Sequence, residues 1–78
     1  MTHLLLLGPA RDAAGVRHDD VAGDTVGEVL GAAVTRYGPA FAKVLEVSQV
    51  WLHAEPVDLD TPVDDYDEIV VLPPVSGG

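Results

Sequence analysis

The sequence predicts a two-layer α+β domain, with a mixed β-sheet packed on one main helix. Three observations carry that prediction. Residues 26–37 hold one apolar stripe at helical spacing, and residues 4–7 and 69–72 are continuous apolar runs of strand length. A lone amphipathic helix has to bury its stripe, and one face of a sheet is the surface that can cover it. The 78 residues leave room for one domain and one modest core.

The elements follow in chain order. Leu4, Leu5, Leu6 and Leu7 are ended by Gly8-Pro9 and suit a strand buried on both faces. Residues 9–15 read as a turn whose final glycine can take a left-handed backbone. A second strand is expected over residues 15–21, where Val16 among charged neighbours marks an exposed edge. Val26, Val29, Leu30, Ala33, Val34 and Tyr37 recur at three- and four-residue steps and form the helical stripe. Thr25 with Glu28 has the pattern of a capping box, and Gly38-Pro39 stops the helix. Gly27 and Gly31 lie off the stripe, one turn apart, and each weakens the helix by about 1 kcal/mol relative to alanine. Phe41, Val44 and Leu45 suggest a short second helix over one end of the core. In residues 47–53, Val50 and Leu52 alternate with Trp51 and His53, so the two pairs point to opposite faces of a strand. Residues 55–58 and 61–66 read as turns around a short edge strand. The first and last strands are the most apolar and belong side by side in the centre of the sheet. That arrangement is the β-grasp, or ubiquitin-like, fold, with a domain over residues 1–72 and an extended tail over residues 73–78.

Composition narrows the function classes. The net charge is −9, and the only basic side chains besides histidine are the scattered Arg11, Arg17, Arg36 and Lys43. Nucleic acid is therefore an unsuitable partner, since backbone binding relies on clustered Lys and Arg. The acids crowd toward the second half, at Asp58, Asp60, Asp64, Asp65, Asp67 and Glu68. Such a surface steers a chain toward a basic partner or simply keeps it soluble. The absence of cysteine removes disulfides, zinc-thiolate sites and thiol catalysis, and fits a reducing, cytoplasmic setting. No run approaches the roughly 20 apolar residues of a membrane span, and the start of the chain lacks the pattern of a signal peptide.

Nor does a catalytic motif emerge. Gly23, Gly27 and Gly31 lack the Lys-Ser/Thr of a phosphate loop, and Ser48 and Ser76 sit outside any nucleophile elbow. His3, His18 and His53 show no ligand spacing, and Asp58-x-Asp60 lacks the glycine and final glutamate of a calcium loop. No metal and no bound cofactor are expected.

The remaining candidate is Pro73-Pro74-Val75-Ser76-Gly77-Gly78. Two prolines after an apolar strand prevent a further ladder and hold the backbone extended. Gly77 and Gly78 have no side chains, so they can thread a narrow channel, and the only reactive group they present is the carboxylate of Gly78. A carboxylate is a poor electrophile. A partner has to activate it, typically by adenylation with ATP, after which sulfur attack gives a thiocarboxylate and amine attack gives a conjugate.

This tail resembles that of the molybdopterin synthase small subunit, the MoaD family, within the ubiquitin-like sulfur-carrier proteins. Arg11-Asp12-Ala13-Ala14-Gly15 resembles that family's Arg-acid-small-small-Gly turn, and Glu55-Pro56-Val57 its polar turn before the edge strand. Asp65-Tyr66-Asp67-Glu68-Ile69 occupies the place of its usual Asp-Gly-Asp-Glu-Val, with Tyr66 departing from a glycine and His53-Ala54 from an Asn-Gly-like turn. The resemblance implies a cytoplasmic cycle in which a ubiquitin-activating-type adenylyltransferase uses ATP to adenylate Gly78. A sulfurtransferase route then converts Gly78 to a covalent thiocarboxylate, and Pro73, Pro74, Val75, Ser76 and Gly77 form the tail that enters the partner. The large catalytic subunit, in a heterotetramer, would pass the sulfur to precursor Z (cyclic pyranopterin monophosphate) to build the molybdopterin dithiolene. The chain is then a non-catalytic, sulfur-donating subunit. The alternative is a carrier or modifier for thiamine, cysteine, tRNA thiolation or protein conjugation. Trp51 is an interface anchor or a residue buried under the short helix.

Overall fold

Strict alternation of burial along two strands organises the molecule, whose computed structural model describes residues 1–74. In chain order the elements are β1 (Thr2–Leu6), α1 (Pro9–Ala14), β2 (His18–Val21), α2 (Val26–Tyr37), α3 (Pro39–Val47), β3 (Gln49–Leu52), β4 (Glu55–Pro56) and β5 (Glu68–Leu72). The sheet order is β2-β1-β5-β3-β4, with β1 and β5 parallel at the centre and the other pairs antiparallel. This is the predicted β-grasp, and the two most apolar strands are indeed neighbours.

The register explains the core. Leu4 lies opposite Ile69 and Leu6 opposite Val71, while Val71 and Ile69 face Val50 and Leu52 on the other side. Leu4, Leu6, Ile69 and Val71 are wholly buried, whereas Leu5 and Val70 on the opposite face are only half-buried. The central strands are thus covered by helices on one face, where burial on both faces was expected for β1. Helix α2 lays Val26, Val29, Leu30 and Ala33 onto that face. Phe41 of α3 is the largest wholly buried side chain among the described residues, and Tyr37 meets its ring edge-on at 5.1 Å.

Local chemistry sets the helix ends. The Thr25 hydroxyl accepts the Glu28 N–H at 3.1 Å, which is one half of the expected capping box. The Glu28 carboxylate accepts from the Asp24 N–H at 3.4 Å instead of returning to Thr25. The first turn of α2 is further satisfied by the connection before β5. Val26 N–H donates to the Thr61 carbonyl at 2.9 Å, and Gly27 N–H to that of Leu59 at 2.8 Å. Gly27 suits this close approach, because a Cβ would lie 3.2 Å from the Leu59 oxygen, a tight contact. At the other end of α2, Asp19 on edge strand β2 accepts from the Tyr37 hydroxyl and, at 2.8 Å, from Arg36. The Tyr37 and Arg36 hydrogen bonds hold the Asp19 carboxyl below its usual range. Burial, reinforced by Asp19, pushes the Tyr37 phenol up to about 12.

Several expectations are corrected. Residues 9–15 are not a turn: Pro9 occupies the first position of α1, Ala10 enters the core, and Gly15 ends the helix at φ 79°. Strand β2 begins at His18, and β3 at Gln49, because Val47 completes α3. The edge strand is Glu55–Pro56 itself, while residues 59–60 turn. Tyr66 has no positive φ; its N–H closes on the Asp64 carboxylate at 2.8 Å, so that turn needs no glycine. His53 and Ala54 do have positive φ, 54° and 63°, as the two-residue hairpin between β3 and β4 demands. Among the described residues, no helix is long and apolar enough to cross a membrane.

Candidate functional site

The parallel pairing of β1 and β5 decides where the tail begins. Leu72, the last residue of β5, pairs with Gln49 on one side, and on the other the Leu7 N–H donates to the Val71 carbonyl at 3.1 Å. Pro73 and Pro74 follow, both exposed, and with no N–H to donate they end the ladder. The chain leaves the sheet directly from its central strand. The remaining tail positions predicted as functional, Val75, Ser76, Gly77 and Gly78, lie outside the described residues.

One residue that shapes this exit carried no functional signal beyond a Gly-Pro step. Gly8 has φ +59°, and a Cβ on it would lie 2.9 Å from Cγ of Pro73. Its backbone angle and its lack of a side chain let β1 turn into α1 while the tail root passes alongside. Only the β1–β5 pairing reveals this contact, because 65 positions separate the two residues in the chain.

The face of the sheet away from the helices is the second part of the site. Reading the register across the strands places Leu5, Val70, Trp51 and Pro56 in one row. Trp51 is half-buried and its indole N–H donates to the Gln49 side chain at 2.9 Å. It therefore lies on the helix-free face, not under α3. A neighbouring row holds Asp20, His3 and Glu68, with His3 hydrogen-bonded to Asp20. His3 and His18, distant from one another in sequence, thus share this face with acids, in a polar hollow of about 280 Å³. His53 lies elsewhere and meets Asp67 at 3.0 Å. Among the described residues, no three His, Asp or Glu side chains are placed to hold a metal ion.

An apolar row bordered by acids, crossing the central strand that leads on to two exposed prolines, suits protein recognition. It supplies one bulky anchor in Trp51, a charged margin, and a chain end leaving from the same sheet.

The chain is similar to solved proteins of this architecture. It shares 32% identity with SAMP1 from Haloferax volcanii over 99% of this chain and 98% of that one, at a TM-score of 0.77. It shares 27% with the small archaeal modifier protein 1 from Methanosarcina acetivorans, over 99% and 95%, at a TM-score of 0.87. It also shares 27%, over 99% and 97%, at a TM-score of 0.71, with a chain of the complex of subunits 1 and 2 of the molybdopterin-converting factor from Helicobacter pylori. Residues 4–78 match the ThiS family. The chain belongs to the ThiS family, among ubiquitin-like sulfur carriers and modifiers.

Proposed function

We propose that this chain is the sulfur-carrier subunit of a molybdopterin synthase, working through the carboxylate of Gly78. The observation that carries the reading is the exit of central strand β5 into exposed Pro73-Pro74, past a glycine that leaves room for it. In the proposed cycle a ubiquitin-activating-type adenylyltransferase joins the Gly78 carboxylate to the α-phosphate of ATP and releases pyrophosphate. A persulfide on a sulfurtransferase attacks the carbonyl carbon, the bond to AMP breaks, and AMP leaves with the electron pair; a thiol reductant then cleaves the acyl disulfide and frees the sulfurtransferase thiol. The product is a thiocarboxylate, anionic and nucleophilic. Its sulfur passes to precursor Z within the large catalytic subunit, so this chain acts as co-substrate and holds no cofactor of its own. The similarity to the subunit 1–subunit 2 complex supports a protein partner of this kind.

A second reading is favoured by the likeness to the two modifier proteins, in which an amine, not sulfide, takes the activated carbonyl. Intact-mass measurement after incubation with the activating enzyme, ATP and a sulfur donor separates the readings. An oxygen-to-sulfur mass increase that then disappears on adding large subunit and precursor Z is the expected result. Loading without transfer to precursor Z would overturn the molybdopterin assignment, and removal of Gly78 should abolish loading while leaving the thermal midpoint unchanged.

A further inference from the structure

On the helix side of the sheet, α2, α3 and β3 border an open apolar groove of about 450 Å³, on the side opposite the row of Trp51 and Val70. Gly27 and Gly31 face it from α2. Gly27 is explained within the chain by its contact with Leu59, but Gly31 is not: a Cβ there would meet nothing within 4 Å. A helix-interior glycine costs about 1 kcal/mol relative to alanine, and no contact in this chain offsets that cost at Gly31. The walls are Leu45, Val50 and Leu59, and Leu59 is 58% exposed. Glu46 is the one charged side chain lining the groove, and Leu59 sits between exposed Asp58 and Asp60. No basic residue lines it.

We infer that this groove docks the sulfur-donating protein, which inserts a bulky apolar side chain flanked by Lys or Arg. The partner's basic charge follows from the acids around the groove. Its identity rests on the carrier reading above and on the geometry of the two sides. The activating enzyme has to hold the tail while the acyl adenylate exists, and the helix-free face continues into that tail. A donor acting on the adenylate needs a separate surface that is open at the same moment. The groove supplies one, and it ends near the tail: Ser48 lines it and precedes Gln49, the strand partner of Leu72.

The test separates adenylation from thiocarboxylate formation. Wild type, Gly31→Leu and Glu46→Lys are incubated with the activating enzyme, ATP and the sulfurtransferase from the same organism, in dithiothreitol. ATP–pyrophosphate exchange and intact mass are followed against donor concentration. Both variants should exchange pyrophosphate at the wild-type rate yet need at least about tenfold more donor for half-maximal loading. Gly31→Leu should keep or raise the thermal midpoint, since a Cβ there meets nothing within 4 Å and leucine is the better helix former. Wild-type donor dependence in both variants would overturn the inference, as would a parallel loss of pyrophosphate exchange in either. Exchange absent in wild type itself would instead remove the carrier reading, and this inference with it.

Discussion

The two faces of the sheet are built from alternate residues of the same short strands, yet they differ in kind. Along β1, Leu4 and Leu6 are wholly buried under helices, while His3 before them and Leu5 between them face outward. Along β5, Ile69 and Val71 are buried and Glu68, Val70 and Leu72 are not. The helix-covered face obtains its stability from removing aliphatic area from water. The other retains partly covered apolar groups beside acids, the pattern of a surface awaiting a partner. A one-residue slip of register would exchange the two roles, which is why β5, locked between β1 and β3, is the element that keeps them apart.

Substitutions should separate along the same line. Phe41→Ala, which empties the largest wholly buried site described, should cost about 3–5 kcal/mol in denaturant unfolding. A value under 1 kcal/mol would mean that α3 does not seal the core. Trp51→Ala on the open face should cost less than about 2 kcal/mol of stability. Its larger effect should be on binding, with at least tenfold weaker affinity for the large synthase subunit by calorimetry, as for a buried aromatic anchor. Equal affinity in the two proteins would remove the open face from the interface. The hairpin turn belongs to neither face and serves as a control. Ala54→Gly should raise stability by about 1 kcal/mol by relieving a positive φ, and leave affinity unchanged. A fall in the thermal midpoint would show that the backbone entropy lost by glycine outweighs the strain.

Periodicity carried most of the architecture. The stripe from Val26 to Tyr37 and the apolar runs at the two ends are enough to specify one helix on a mixed sheet. The misreadings are local and share a cause. Pro9 to Ala14 has little apolar signal for its length, so its helical character depends on Ala10 reaching the core and Gly15 closing the end. Glu55–Pro56 pairs as a strand only because the positive-φ turn at His53-Ala54 folds it back on Trp51 and Leu52.

The candidate site divides in the same way. Its proposed chemistry, at a carboxylate after two prolines and two glycines, is read from the sequence alone, because side-chain-free residues and the lack of a recognised catalytic motif are properties of sequence. Its setting is not. That Gly8 clears Pro73 and that Trp51 stands in a row with Leu5 and Val70 are relations between distant positions, and the groove beside Gly31 exists only once α2, α3 and β3 are assembled. The sequence by itself determined which residues prefer to be buried and where the proposed reactive end stands in the chain, since both follow from side-chain type and spacing. Only the tertiary structure decided what surrounds the tail root and which faces stay open, because strand order and register depend on how the whole chain shares one core.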